Sequence, residues 1–263
     1  MEVIILKNSE EVAEKASEYV KQLIHRKPRA VLGLATGSTP ILMYKKLVEL
    51  YNRKELDFSK VVTFNLDEYV GLKKEHPASY YSFMKENLFQ HINIPENQCH
   101  IPNGDSQDIP QESLQYEERI KKSGGIDLQI LGIGRDGHIG FNEPSSSLSS
   151  RTRLKTLTHT TRQDNAQYFS NLEEVPYHVL TMGVGTIMEA QHILLMATGA
   201  SKAKAVQQCV EGPVTAMCPA SVLQFHIKAT LLIDEEAARD LQRLEYYQWV
   251  YARKPSWQKN NLA

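Results

Sequence analysis

Short runs of valine, isoleucine and leucine recur along this chain of 263 residues, separated by stretches whose apolar residues fall at helical spacing. That alternation constrains the fold more than any other feature. Continuous apolar strands are buried on both faces, and strand–helix–strand units favour parallel pairing with helices on each side of the sheet. Strands are expected over residues 3–6, 30–35, 61–66, 128–133, 179–184, 192–197 and 229–233. Between the first two, Val12, Ala16, Tyr19, Val20, Leu23 and Ile24 define one helical face, and Asn8 and Glu11 stand where a capping box would start it. Further helices are expected over 41–51, 79–89 and 111–122, and one beginning near Ser201. The pattern predicts an α/β fold: a mostly parallel sheet covered by helices on both faces. No linker interrupts it, so one domain over 1–263 with a lid or insertion is expected. The tail from about Gln242 carries Tyr246, Tyr247, Trp249, Tyr251 and Trp257. It packs either on a neighbouring subunit or, the commoner case, back on its own core.

Composition excludes several classes of function. A hydrophobic content of 41% and a charged content of 23% are those of an ordinary soluble globular protein. A net charge of −1 provides no bulk field for nucleic acid or an anionic membrane, so an anionic partner must be held by a few placed cations. Aromatic residues interleaved with basic ones, the mark of single-strand binding, are not evident. The opening MEVIILKNSEEVAEKA has too short an apolar run for a signal peptide, and no stretch approaches the ~20 apolar residues of a membrane helix. Cys99, Cys209 and Cys218 are far apart and outside any CxxC pair, which disfavours a disulfide scaffold and points to a reducing cytoplasm. No HExxH or paired-histidine motif supports a metal site.

In sheets of this kind, ligands bind beyond the carboxyl ends of the strands. Three polar loops leave candidate strands at that edge: TGSTP at 36–40, DEYVG at 67–71 and GRDGHIGFNE at 134–143. Parallel strands would bring them together into one site. The segment LGIGRDGHIGFNEP is the most specific, because Asp136, His138 and Glu143 are the parts of an acid–base relay set among glycines. In TGSTP, Gly37 permits close approach, Ser38 and Thr39 offer hydroxyls, and Pro40 suits a first helical turn. The loop reads equally as a phosphate site or as a plain helix cap. Its spacing is neither that of a P-loop nor that of a dinucleotide fingerprint. Lys202 is a second anion candidate, or simply a solvated lysine at a helix start. Asp67, directly after a buried strand, is a general base of raised pKa or a turn residue. Arg151, Arg153 and Lys155 alternate with Thr152, Leu154 and Thr156, so in an extended segment the three cations share one face. Beside the hydroxyls of SSSLSS they form either a second anion site or a charge-protected strand edge.

The segments LGLATGSTP, VVTFNLDEYVGL, HPASYYSFM, GIGRDGHIGFNEPSSSLSSRTRLKTLTHTTR and LTMGVGTIMEA resemble, in order, the isomerising glucosamine-6-phosphate deaminases. The resemblance runs from residue 1 to about Asp234. It implies a modified Rossmann-like fold, conversion of glucosamine 6-phosphate and water to fructose 6-phosphate and ammonia, no cofactor or catalytic metal, and an oligomer, most often a hexamer. It implies that His138 opens the sugar ring, oriented by Asp136 and Glu143. Asp67 would carry the C2 proton to C1 through an enolamine. Gly37, Ser38, Thr39 and Lys202 would hold the phosphate. The family's further phosphate cation, just before the aromatic pair matching Tyr168 and Phe169, is here the neutral Gln167, and Arg162 is the nearby candidate to replace it. Activated members bind N-acetylglucosamine 6-phosphate between subunits through residues matching Ser146, Arg153, Lys155 and Thr156. Their C-terminal tyrosine aligns near Gln248, with Tyr247 adjacent. The nearest alternatives are a 6-phosphogluconolactonase-like hydrolase and a non-catalytic sugar-phosphate sensor. Asp67 and Glu143 argue against the first. The intact relay and the lack of a DNA-binding segment argue against the second.

Overall fold

The structure, a computed structural model, describes residues 1–259. Residues 260–263, the end of the expected domain and of its tail, lie outside the described residues. In chain order the strands are β1 (Glu2–Leu6), β2 (Val31–Leu34), β3 (Val62–Asn65), β4 (Asp67–Tyr69), β5 (Cys99–His100), β6 (Leu128–Leu131), β7 (Arg153–Thr156), β8 (His178–Thr181), β9 (Ile193–Ala197) and β10 (Ala229–Asp234). The helices are α1 (Ser9–Arg26), α2 (Ile41–Asn52), α3 (Tyr80–Asn87), α4 (Ile109–Lys122), α5 (His159–Asn165), α6 (Val184–Met188), α7 (Ala203–Glu211), α8 (Glu235–Ala238), α9 (Leu244–Ala252) and α10 (Ser256–Lys259). At the start of α1, Asn8 accepts a bond from the Glu11 N–H at 3.0 Å, as a cap should. The return bond goes one residue further back than expected: Glu11 accepts from the N–H of Lys7, not Asn8.

Seven strands form a wholly parallel sheet in the order β1-β10-β9-β6-β2-β3-β5. Alternate residues of each strand enter separate cores. Leu231 and Ile233 join one cluster with residues of α4, α6, α7 and α8, while Leu232 joins the other with α1, α2 and α3. Two-sided burial is what an unbroken apolar strand can exploit, at about 1.5–3 kcal/mol for each large side chain fully removed from water. From β2 the chain runs outward to β3 and β5, then returns to β6 on the other side of β2. The order therefore reverses between β2 and β6, and the crevice beyond their carboxyl ends is flanked by the two most informative loops of the sequence.

Two expectations are corrected here. Asp67–Tyr69 is a strand, not a loop, and the segment expected over 179–184 contributes β8 to a second sheet instead of the parallel one. That sheet is antiparallel, in the order β4-β8-β7. The chain leaves β3 through Leu66, whose carbonyl accepts from Met182 N, and passes straight into β4. Val179 and Leu180 are both buried, and Val179 belongs to a small cluster with Tyr69, Phe141, Leu157 and Val175. A strand covered on both faces reads the same in sequence whichever way it pairs. The tail folds back on the core: Tyr247 and Tyr251 of α9 pack against the two main clusters, leaving Tyr246, Trp249 and Val250 exposed. Among the described residues no helix is long and apolar enough to cross a membrane.

Candidate active site

The loop after β6 owes its shape to two glycines. Gly137 has φ +86°, where a side chain would be strained. A Cβ on Gly134 would overlap Cε1 and Nδ1 of the His138 ring. The imidazole thus lies flat against its own loop, which closes through Gly134 N to His138 O at 2.9 Å. His138 Nδ1 sits 2.7 Å from Asp136 Oδ1 and 4.0 Å from Glu143 Oε2. The closer approach is too oblique for an aligned N–H···O bond, so Nδ1 and the buried Oε2 of Glu143 are both without a formal partner among the described residues. The ring stands between two carboxylates. Burial raises the pKa of Asp136, but the close imidazole of His138 and the hydrogen bond from its backbone N–H outweigh it and hold the carboxyl well below its usual range. These three side chains also offer one donor each within 4.8 Å, part of the shell a small cation would take.

Asp67 opens β4 and is only 5% exposed. Burial pushes its pKa up to about 8, the neighbouring charge of Glu68 adds to this, and a hydrogen bond from Thr181 opposes it. Glu68 itself accepts three backbone bonds, from Tyr69 N (2.8 Å), Tyr80 N (3.0 Å) and Tyr81 N (3.0 Å). Burial nevertheless carries its pKa to about 7. These bonds join β4 to the start of α3 and so fix the wall facing Asp67.

The loop after β2 does not cap α2 through a side chain. Pro40, expected to suit the first helical turn, is the cap position of α2, which has no side-chain cap bond, so the hydroxyls of Ser38 and Thr39 are not spent on capping. Lys202, expected inside a helix, ends a 3₁₀ turn (Ala200–Lys202) and precedes α7. Asp67 and His138 share one cavity of about 610 Å³ with Gly37, Ser38, Thr39 and Lys202. A buried carboxylate and an imidazole therefore face the same space as two hydroxyls and an ammonium.

The sequence profile of the glucosamine-6-phosphate isomerases/6-phosphogluconolactonase family matches residues 7–232. The chain belongs to this family. It is 52% identical over 258 residues to a glucosamine-6-phosphate deaminase of Arthrobacter sp. (strain FB24), covering 98% of this chain and 99% of the relative. It is 54% identical over 250 residues to one from Hahella chejuensis, covering 95% of each. Among solved structures, one described as a monomeric glucosamine-6-phosphate deaminase superposes with a TM-score of 0.90 at 44% identity, over 91% of this chain and 100% of the other. The 6-phosphogluconolactonase from Trypanosoma cruzi superposes with a TM-score of 0.71 at 20% identity, over 92% and 97%, which shows the shared fold alone.

In this member of the glucosamine-6-phosphate isomerase/6-phosphogluconolactonase family, the remaining expected residues divide. Asp136 and Glu143 stand behind His138, outside the cavity wall. Ser146, Arg153, Lys155 and Thr156 also lie outside it. Ser146 is buried, with no partner for its Oγ among the described residues, while Arg153 Nη1 donates to Asn142 Oδ1 at 2.9 Å. Arg151 leaves the expected cation face, held by Glu117 (2.5 Å) and Glu189 (2.6 Å). Thr156 falls with Leu154 on the more exposed face of β7, opposite Arg153 and Lys155. Arg162 does not replace the missing cation. It is 5% exposed, donates to the carbonyls of Leu172 and Val175, and lies over the ring of Tyr177. Sequence reasoning missed Arg135 and Asp164, which line the cavity, and Thr181, which tunes Asp67. A charge inside a glycine-rich loop reads as solvated, and a buried threonine gives no signal of what faces it.

Proposed function

We propose that the chain is a glucosamine-6-phosphate deaminase, converting glucosamine 6-phosphate and water to fructose 6-phosphate and ammonia. His138 takes the proton of the anomeric hydroxyl and delivers it to the ring oxygen, which opens the pyranose. Asp136 and Glu143 orient the imidazole through this transfer. Asp67 removes the C2 proton and returns it at C1 through the enolamine. The C2 imine that results is hydrolysed, releasing ammonia and leaving the ketose. The phosphate rests against Gly37, Ser38 and Thr39 of the loop before α2 and against Lys202.

The observation that carries this reading is Asp67, a buried carboxylate with a pKa raised to about 8 in the same cavity as His138. Lactone hydrolysis requires no base for a carbon-bound proton. Ammonia release from glucosamine 6-phosphate tests the assignment. No release, or hydrolysis of 6-phosphogluconolactone in its place, overturns it.

The reading extends to one functional unit over 1–263, working in the cytoplasm as a homo-hexamer activated by N-acetylglucosamine 6-phosphate. Support for the activator site comes from the Oγ of buried Ser146, which has no partner among the described residues, and from Arg153 and Lys155 on one face of β7. Arg153 also reaches Asn142, the residue before Glu143. A relative of 44% identity is described as monomeric. Light scattering therefore belongs beside the kinetics: a monomer with hyperbolic, unresponsive kinetics removes both hexamer and activation while keeping the enzyme.

A further inference from the structure

Resting on that reading of the substrate as a sugar phosphate, we propose that Arg135 supplies the second phosphate cation, in place of the neutral residue 167, and that Asp164 is the counter-ion the phosphate displaces. The two nearby candidates are spent or uncharged. Gln167 lines the cavity but gives its amide to the carbonyl of Asp164 at 2.8 Å, and Arg162 is buried among backbone carbonyls. Arg135 lines the same cavity as Ser38, Thr39 and Lys202. Burial, and then the charge of Arg135, hold the Lys202 ammonium below its ordinary pKa, while Asp164 and Asp136 act against this. Two cations close enough to disfavour each other, one of them half-buried, form a site suited to a dianion.

The guanidinium geometry supports the exchange. Nε and Nη2 of Arg135 bond the two oxygens of Asp164, a fork-to-fork pairing that a phosphate can reproduce with two of its own oxygens. Nη1 makes no hydrogen bond among the described residues. The side chains of Arg135 and Asp164 are 53% and 45% exposed, so the pair is screened and costs little to open. A phosphate on Lys202 repels the Asp164 carboxylate and attracts the guanidinium, and both effects favour the swap. Because Arg135 directly precedes Asp136, the phosphate grip is one peptide from the relay. Because Asp164 lies on α5, the swap removes one of the ties between that helix and the catalytic loop, leaving that of its capping residue Thr158 to Glu143.

The test is calorimetric titration of inorganic phosphate and fructose 6-phosphate into the wild type and the variants Arg135→Gln, Asp164→Asn and Arg135→Gln/Gln167→Arg, with melting temperatures to confirm folding. Arg135→Gln should weaken both ligands about ten- to a hundredfold, the loss expected for a charged hydrogen-bonding partner. Its KM for glucosamine 6-phosphate should rise by more than its kcat falls. Adding Gln167→Arg should restore binding, and Asp164→Asn should tighten it. Unchanged phosphate affinity in Arg135→Gln overturns the cation role, and unchanged affinity in Asp164→Asn overturns the displacement. Arg135-dependent phosphate binding without ammonia release by the wild type would sink the deaminase assignment and leave this one standing.

Discussion

Asp67 and Thr181 are cross-strand partners in the antiparallel sheet, and the Thr181 hydroxyl is the one hydrogen bond that lowers the raised pKa of the Asp67 carboxyl. On its other side, Thr181 pairs with Arg153 of β7. The proposed base and the proposed activator ligand are thus two strands apart, roughly 10 Å at ordinary strand spacing. This is a short path for any effect of the one on the other.

The pairing makes a prediction about pH. With the Asp67 pKa at about 8, the base is largely protonated at neutrality, and kcat/KM should climb as pH rises towards 8. Thr181→Val removes the bond that favours the carboxylate, so the climb should move to higher pH. A pH–rate profile of the two proteins checks it. An unmoved limb in Thr181→Val would mean that a different group titrates.

Turnover should depend on the Asp67 carboxylate itself. Asp67→Asn keeps the shape and burial but cannot take a proton from carbon, so kcat should fall by about 10²–10⁴. Binding of fructose 6-phosphate, followed by calorimetry, should be nearly unchanged because the phosphate contacts lie elsewhere. Loss of binding to the same degree as turnover would show that Asp67 holds the substrate and does not enolise it.

The same carboxylate carries a stability signature. Its folded pKa of about 8 lies above the ordinary 3.8, so between those values the folded state binds the proton more than the unfolded state does. Stability then falls as pH rises through that window. The favourable contribution is complete below about pH 4 and gone above about pH 8. The melting temperature of the wild type should drop more between pH 5 and 8.5, by calorimetry, than that of Asp67→Asn, which has no such proton to lose. Parallel curves would refute the burial argument.

The parts legible in the sequence were those written in local patterns. Alternating strands and helices place β2, β6, β9 and β10 within a residue or two, and the glycine-spaced segment brings Asp136, His138 and Glu143 together, as its spacing suggests. What failed was information held between segments. Val179 and Leu180 look like a parallel strand because both are buried, yet they pair antiparallel, with Tyr69 and Glu68 of β4 on one side and with Lys155 and Leu154 of β7 on the other. Arg162 looked available for phosphate because it is near Gln167 in sequence, while helical geometry turns it inward beneath Tyr177. Arg135 gives no local signal, because its partner Asp164 lies 29 residues further along the chain.

Glu68 should prove structural. It has no route to the cavity wall, but its carboxylate satisfies three N–H groups at the junction of β4 and α3. Glu68→Ala leaves those donors buried without acceptors, a loss of about 1–3 kcal/mol or more. The melting temperature should fall accordingly, and the Asp67-dependent limb of the pH profile should shift towards lower pH, because a neighbouring negative charge is removed. A variant that melts like the wild type would show that water replaces the carboxylate at this junction.

The sharpest test of the relay geometry is a single methyl group at position 134. Gly134 does not have a positive φ, so alanine there brings no backbone strain, and the one consequence is contact with the imidazole. The ring must move off the loop, which changes its distance to both Asp136 and Glu143. A shift of an ångström at a catalytic group can cost about a hundredfold in rate. Gly134→Ala should therefore lower kcat by about that factor, and by more than it weakens binding of inorganic phosphate, one of whose proposed ligands, Arg135, is the next residue in the chain. If kcat is retained, His138 works equally well away from its loop, and the position of its imidazole between two carboxylates is not what ring opening requires.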